Sequence, residues 1–350
     1  MRICRGETGR RREKSEGKKS QNGSAFAAPV SPTRNWRNHT MTIQHTHLDP
    51  VSEVLADRLS EYPDYRVLRS LPPPYASMPA SGAPPEGRCI ALLDVETTSL
   101  DAAAGSIIEL AIKLLWVDDD GNLLGHFPIF SWMQDPGHPL DGKIAQLTGL
   151  TDADLAGKTI DDEAVGRLLD RADLIVAHNA RFDLEWILQR WPDLWEKPWA
   201  CSCHEISWQP LGLEGRSQPF LLQQHGWFAR AHRAPADVWA LFWLLQQSRT
   251  EPDSDNSDEG GASTGTERTH LQRLLAASDR ATVRVEAAGA PFARKDLLRA
   301  RGYRWDAELL RKVWWCEIAS EDVEAEQLWF NRNDLPAPRL VPITAHERHR

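Results

Sequence analysis

The stretch RCIALLDVETTS, residues 88–99, is an apolar run that ends on an acid-x-acid pair. A run this rich in Ile, Leu and Val reads as a buried strand over 88–95, with Asp94 and Glu96 at its C-terminal end. Alternation along a strand points both carboxylates to the same face. Thr97, Thr98 and Ser99 follow as small polar residues in a turn, where backbone amides can approach a bound group.

Two further clusters lie downstream. LIVA at 174–177 reads as a second short buried strand, followed by His178, Asn179, Ala180, Arg181, Phe182 and Asp183. Phe182, Leu184, Ile187, Leu188 and Trp191 then have helical spacing, which places Asp183 in the first turn of a helix. Ahead of the apolar run VWALFWLL come His232, Arg233, Ala234, Pro235, Ala236 and Asp237. Proline suits a first helical position, so Asp237 falls in the opening turn and His232 in the loop before it. Carboxylates that meet from distant parts of a chain can hold two divalent cations about 3.5 to 4 Å apart, a geometry that cleaves phosphodiesters. The histidine would supply the base. Each cluster alone has a plainer reading, as strand-end polarity or as a partner for a helix dipole; the three together weigh against it. For His178 and Asn179 the structural role, capping the helix and positioning the second cluster, is preferred.

Asp-Val-Glu-Thr-Thr at 94–98, His-Asn-Ala-Arg-Phe-Asp at 178–183, and His232 with Asp237 five positions on resemble the three motifs of the DEDDh (DnaQ-like) 3′ to 5′ exonucleases, the family of the proofreading epsilon subunit of bacterial DNA polymerase III. Leu147-Thr-Gly-Leu-Thr-Asp152 is similar to the threonine-glycine turn that the family places between its first and second motifs. The resemblance covers residues 86–248. It implies that Asp94, Glu96, Asp183 and Asp237 are metal ligands, with Asp94 bridging two ions, and that His232 is the general base. It also implies that Thr97, Thr98, His178 and Asn179 border the substrate. Carboxylate ligands suit Mg²⁺ or Mn²⁺, and an imidazole with a pKa near 6.5 suits the collection of a proton.

Composition fits a water-soluble globular protein: 41% of the 350 residues are hydrophobic and 26% charged, and no apolar run is long enough for a membrane span. Five cysteines without regular spacing fit a reducing, cytoplasmic setting. Zinc at Cys201, Cys203 and His204 is disfavoured, because no second pair stands at suitable spacing. The net charge of −9 is unevenly spread. Residues 1–40 hold ten Lys or Arg against three Glu, which leaves the rest of the chain at −16. That segment reads as a disordered basic extension, with Met41 as an alternative start. Residues 41–85 read as a short helix, PVSEVLADRL, and a Pro-rich approach along the surface of the next domain. An acidic, Ser/Gly-rich linker at 249–268 separates the exonuclease-like domain, 86–248, from a small α+β domain, 269–332, and a tail, 333–350. Between Arg280 and Lys312 there are nine Lys or Arg against four acids, interleaved with Phe292, Tyr303 and Trp305. Such a segment suits nucleic acid, while Tyr303, Trp305, Trp314 and Trp315 also suit a core. Ser320 reads as the N-cap of a helix in SEDVEAEQLWF.

The expected fold is therefore α/β: an RNase H-like exonuclease domain with a mixed central sheet flanked by helices, its first three strands antiparallel at 88–95, 106–118 and 122–134. The strands carrying Asp94 and Val176 should lie side by side. The expected activity is metal-dependent 3′ to 5′ exonuclease on single-stranded DNA or RNA, DNA favoured, with two Mg²⁺ or Mn²⁺ ions. Alternatives are a polymerase-associated proofreading subunit that partners replication or repair proteins, with Glu326–Phe330 as a clamp-binding peptide, and a catalytically silent nucleic-acid-binding module. No membrane association is expected.

Overall fold

The computed structural model describes residues 48–74, 83–250, 266–307 and 312–350. The basic extension, the start at Met41, the acidic run of the linker and part of the Pro-rich approach lie outside the described residues. Helix α1 (Pro50–Ser60) and a two-residue strand β1 (Arg69–Ser70) lead to β2 (Arg88–Thr97), β3 (Ile107–Val117) and β4 (Leu123–Met133). Next come α2 (Gly142–Thr148), α3 (Asp152–Leu155), α4 (Asp162–Arg171), β5 (Leu174–Ala177), α5 (Ala180–Arg190) and β6 (Trp199–Cys201). Helix α6 (Gln218–Gln224), strand β7 (Trp227–Phe228) and helix α7 (Ala234–Gln246) complete this region.

The five-stranded sheet has the order β4-β3-β2-β5-β6. Strands β2, β3 and β4 run antiparallel, while β5 joins β2 and β6 joins β5 in parallel. Leu92 pairs with Val176, so the strands bearing the first two clusters are neighbours. Both faces of the sheet are covered, and a strand covered on both sides reads as an unbroken apolar run. In IIELAIKLLWV every residue is buried in β3, and only Glu109 and Lys113 interrupt the apolar run. Ile90 and Leu92 pack toward α7 with Phe242 and Trp243. Ala91 and Leu93 pack in the core that holds Leu184 and Ile187 of α5. The Pro-rich approach is anchored where β1 pairs with β7 and where the Trp239 indole N–H donates to the Pro72 carbonyl at 2.6 Å.

The linker is not open at its ends. Strands β8 (Ser248–Thr250) and β9 (Glu267–Thr269) pair antiparallel and lead into α8 (His270–Asp279), whose Leu271, Leu274 and Leu275 join the core around α7. Beyond it stand β10 (Thr282–Glu286), α9 (Lys295–Ala300), β11 (Arg304–Asp306), β12 (Val313–Ala319), α10 (Val323–Arg332) and β13 (Arg339–Ile343). Their sheet has the order β11-β12-β10-β13, and one face packs on the helices through Val283, Val285, Leu298, Tyr303 and Phe330.

Three sequence expectations are corrected here. The tail contributes β13, an edge strand whose Pro342 masked its strand character. Ser320 caps nothing: it opens a 3₁₀ turn and its hydroxyl donates to the Ala281 carbonyl at 3.0 Å. The clamp-peptide reading of Glu326–Phe330 fails because Glu326 and Phe330 are buried in α10. Among the described residues, no helix is long and apolar enough to cross a membrane.

Candidate active site

Asp94 and Glu96 share parity with Ile90 and Leu92, so both side chains leave β2 on the α7 side. Asp237 meets them from the first turn of α7. Each of these three carboxylates offers an oxygen, and the three oxygens lie within 4.8 Å of one another. Asp183 comes from the first turn of α5, is buried, and accepts the amide of Val95 on Oδ1 at 3.2 Å. That amide is available because β5 pairs with β2 only as far as Leu92. The overhang of β2 seats Asp183 beside Asp94, outside the set of three whose oxygens lie within 4.8 Å of one another.

His232 stands exposed at the rim with a left-handed backbone, φ +66°. Non-glycine residues seldom hold that conformation, and it persists only where neighbours enforce it. The enforcing group is Asp237, whose Oδ2 accepts the amides of His232 at 2.7 Å and Arg233 at 3.1 Å. One carboxylate therefore both faces the cluster and fixes the histidine loop.

Crowding and burial set the electrostatics. Burial, then the charges of Asp183, Asp237, Glu96 and Glu109, push Asp94 well above the usual carboxylate range. Asp183 is raised by burial against the opposing Val95 amide. Glu96 is pushed up to about 7 by burial and then by Asp237 and Glu109. Asp237 is raised by burial although the amides of Arg233 and His232 oppose it. The nearby Arg233 guanidinium offsets only part of this charge, at Glu96, because it is forked onto Glu109 at 2.7 to 3.2 Å. A surplus of partly buried, oxygen-only ligands fits a hard divalent cation such as Mg²⁺ or Mn²⁺.

Glu109 was not singled out from the sequence. It lies opposite Glu96 on β3, is 1% exposed, and accepts the Ala234 amide at 2.9 Å as well as the Arg233 fork. An acid inside a run as apolar as IIELAIKLLWV was the available signal. The remaining candidates are held by local bonds. The Thr97 hydroxyl donates to the Ser99 carbonyl at 2.6 Å. The Thr98 amide donates to the Ser106 carbonyl at 3.0 Å, so it is not open to a ligand. His178 has Nδ1 2.9 Å from the Ser202 hydroxyl and Nε2 2.7 Å from the Arg216 carbonyl. Burial holds it down to about 4, so its ring is neutral. Asn179 precedes α5 at φ +77° and makes no side-chain cap; a left-handed residue there aims its side chain away from the helix amides.

A mixed sheet with carboxylates converging from a strand end and two first turns is the arrangement of RNase H-like nuclease domains. Residues 92–207 match the exonuclease family RNase_T. Over 99 residues the chain is 39% identical to the PolC-type DNA polymerase III of Listeria welshimeri serovar 6b, and over 95 residues 37% identical to that of Streptococcus pyogenes. Each match spans 27% of this chain and 6% of the polymerase. Among solved structures, exonuclease X in complex with 5′ overhanging duplex DNA is similar at 23% identity and TM-score 0.34, over 45% of this chain and 89% of the other. The zinc-bound E. coli exonuclease I–single-stranded DNA complex is similar at 15% identity and TM-score 0.40, over 75% of this chain and 66% of the other.

Proposed function

We propose that the chain is a divalent-metal-dependent 3′ to 5′ exonuclease that releases nucleoside 5′-monophosphates from single-stranded ends. The observation that carries this reading is the meeting of Asp94, Glu96 and Asp237 within 4.8 Å, with Asp183 buried behind them and His232 at the rim. Asp94, Glu96, Asp183 and Asp237 would hold two Mg²⁺ or Mn²⁺ ions. When bound, such ions supply Lewis acidity to the attacking and leaving oxygens of a phosphodiester. His232 takes the proton of the attacking water on its ring nitrogen, a role suited to an exposed imidazole at the rim of the cluster. As the water oxygen bonds to phosphorus, the bond to the 3′ oxygen breaks. That oxygen departs as an alkoxide, takes a proton from solvent to become the new 3′ hydroxyl, and the phosphate stays on the released nucleoside's 5′ oxygen. Asp237 keeps His232 in its left-handed turn while this happens.

The likeness to polymerase exonuclease regions favours DNA, and it also supports a role in proofreading beside a polymerase. Product chromatography tests the chemistry. Nucleoside 5′-monophosphates are expected as the sole small product, and their release should stop on chelation with EDTA. Nucleoside 3′-monophosphates, or release unaffected by EDTA, would sink the mechanism.

A further inference from the structure

The small sheet turns one face toward the exonuclease domain, and that face carries a guanidinium without a carboxylate partner among the described residues. Trp314, Cys316 and Ile318 pack toward the small core, so by alternation Trp315 and Glu317 point the other way. Guanidinium groups from both flanking strands cover the Trp315 ring, Arg284 at 4.1 Å and Arg304 at 4.5 Å from its centroid. Arg284 is balanced by Glu286 at 3.1 Å and Asp306 at 2.8 Å. Arg304 is exposed and has no carboxylate within ion-pair distance among the described residues.

The loop after β6 faces this surface. Arg348 ties the two together, binding Glu205 of the loop at 2.6 Å and Glu317 of β12 at 3.1 Å. Next to Glu205, the Nδ1 of His204 lies 3.2 Å from a guanidinium nitrogen of Arg216. Burial, then the charges of Arg216, His349 and Arg304, hold His204 below its ordinary value, so a neutral ring accepts from Arg216. Arg216 is exposed and, among the described residues, has no carboxylate within ion-pair distance. Its carbonyl is fixed by His178, at the junction of β5 with the helix that carries Asp183.

We propose that Arg216 and Arg304, one from each domain, bind backbone phosphates of a single-stranded nucleic acid whose 3′ end occupies the carboxylate cluster. This rests on the exonuclease reading and adds the path of the strand. Two guanidinium groups without acid partners among the described residues, held ready by an imidazole and an indole face, are suited to phosphate because the fork is pre-organised. In a chain of net charge −9 they would also direct the polyanion away from the acids. The predicted contacts to phosphate are sequence-tolerant and salt-dependent.

The test is binding of a fluorescein-labelled oligothymidylate of roughly 12 nucleotides in EDTA, read by anisotropy across a salt series. Arg216→Ala/Arg304→Ala is expected to weaken binding at least about tenfold at low salt and to flatten the salt slope by about 1.4, as loss of two phosphate contacts requires. Loss on a dinucleotide is expected to be much smaller. Thermal unfolding of the same variant guards against a folding defect, and Arg304→Lys should restore part of the affinity. If the wild type digests the oligomer while the double variant binds it as tightly and with the same slope, the phosphate path is overturned alone. If the wild type neither binds nor digests it, the exonuclease reading falls and takes the path with it.

Discussion

Glu96 carries a pH signature that separates a metal-binding cluster from a merely acidic one. Its carboxyl is pushed from 4.5 to about 7 in the folded protein, first by burial. Folding therefore favours the protonated form: the stability this group contributes in metal-free protein is complete below about pH 4.5 and is lost as pH rises through about 7. A cation that binds the ionised cluster reverses the loss. Thermal unfolding should accordingly show a larger Mg²⁺-induced rise in Tm at about pH 8 than at about pH 5.5, and equal shifts at both would contradict the assignment. At this scale the sequence was informative about Asp94, Glu96, Asp183, His232 and Asp237, because each stands at a strand end, in a first turn or in the loop before one. Glu109 was hidden, since β3 reads as continuous core and its partner Arg233 sits far away in the chain. The hydroxyl and amide bonds that occupy Thr97 and Thr98 were equally invisible, because they depend on the fold of the turn that brings Ser99 and Ser106 back.

Among the elements, the clasp between β3 and the start of α7 decides how well the histidine loop is placed. Glu109 takes the Arg233 fork and the Ala234 amide, which pins the helix N-terminus against the strand facing Glu96. Glu109→Gln removes the charge but keeps the shape. Arg233 is 35% exposed at its side chain and water can partly solvate it, so the expected cost is about 1 to 3 kcal/mol by urea unfolding. Activity should fall roughly tenfold or more through kcat, with KM little changed, because a misplaced His232 loop affects the reacting geometry. A variant with wild-type kcat would show that the clasp is only structural. Strand and helix identities were readable from periodicity, and the first three strands fall within two residues of their expected bounds. Edges and ends were not: β13 carries a proline, and β8 with β9 exists only because the two ends of the linker meet.

Across the whole molecule, the last residues of the chain do what the sequence could not show. Residues Arg339–Ile343 close the small sheet, the Trp199 amide donates to the Ala345 carbonyl at 2.8 Å, and the largely covered side chains of Arg348 and His349 converge on Glu205. Long-range contacts of this kind leave no periodic trace in a tail. They hold the basic-aromatic sheet face against the loop beside the second motif, and so join a recognisable catalytic domain to a segment whose motifs suggested only charge. The central claim is that the carboxylate cluster at the end of β2 drives 3′ to 5′ hydrolysis. It is tested most directly by following 3′-labelled and 5′-labelled single strands with Mg²⁺ or Mn²⁺, for wild type and Asp94→Ala. The expected result is immediate release of the 3′ label as a mononucleotide, stepwise shortening of the 5′-labelled strand, and loss of both with Asp94→Ala by at least about a hundredfold. Release of the 5′ label first, or digestion by Asp94→Ala at the wild-type rate, would contradict it.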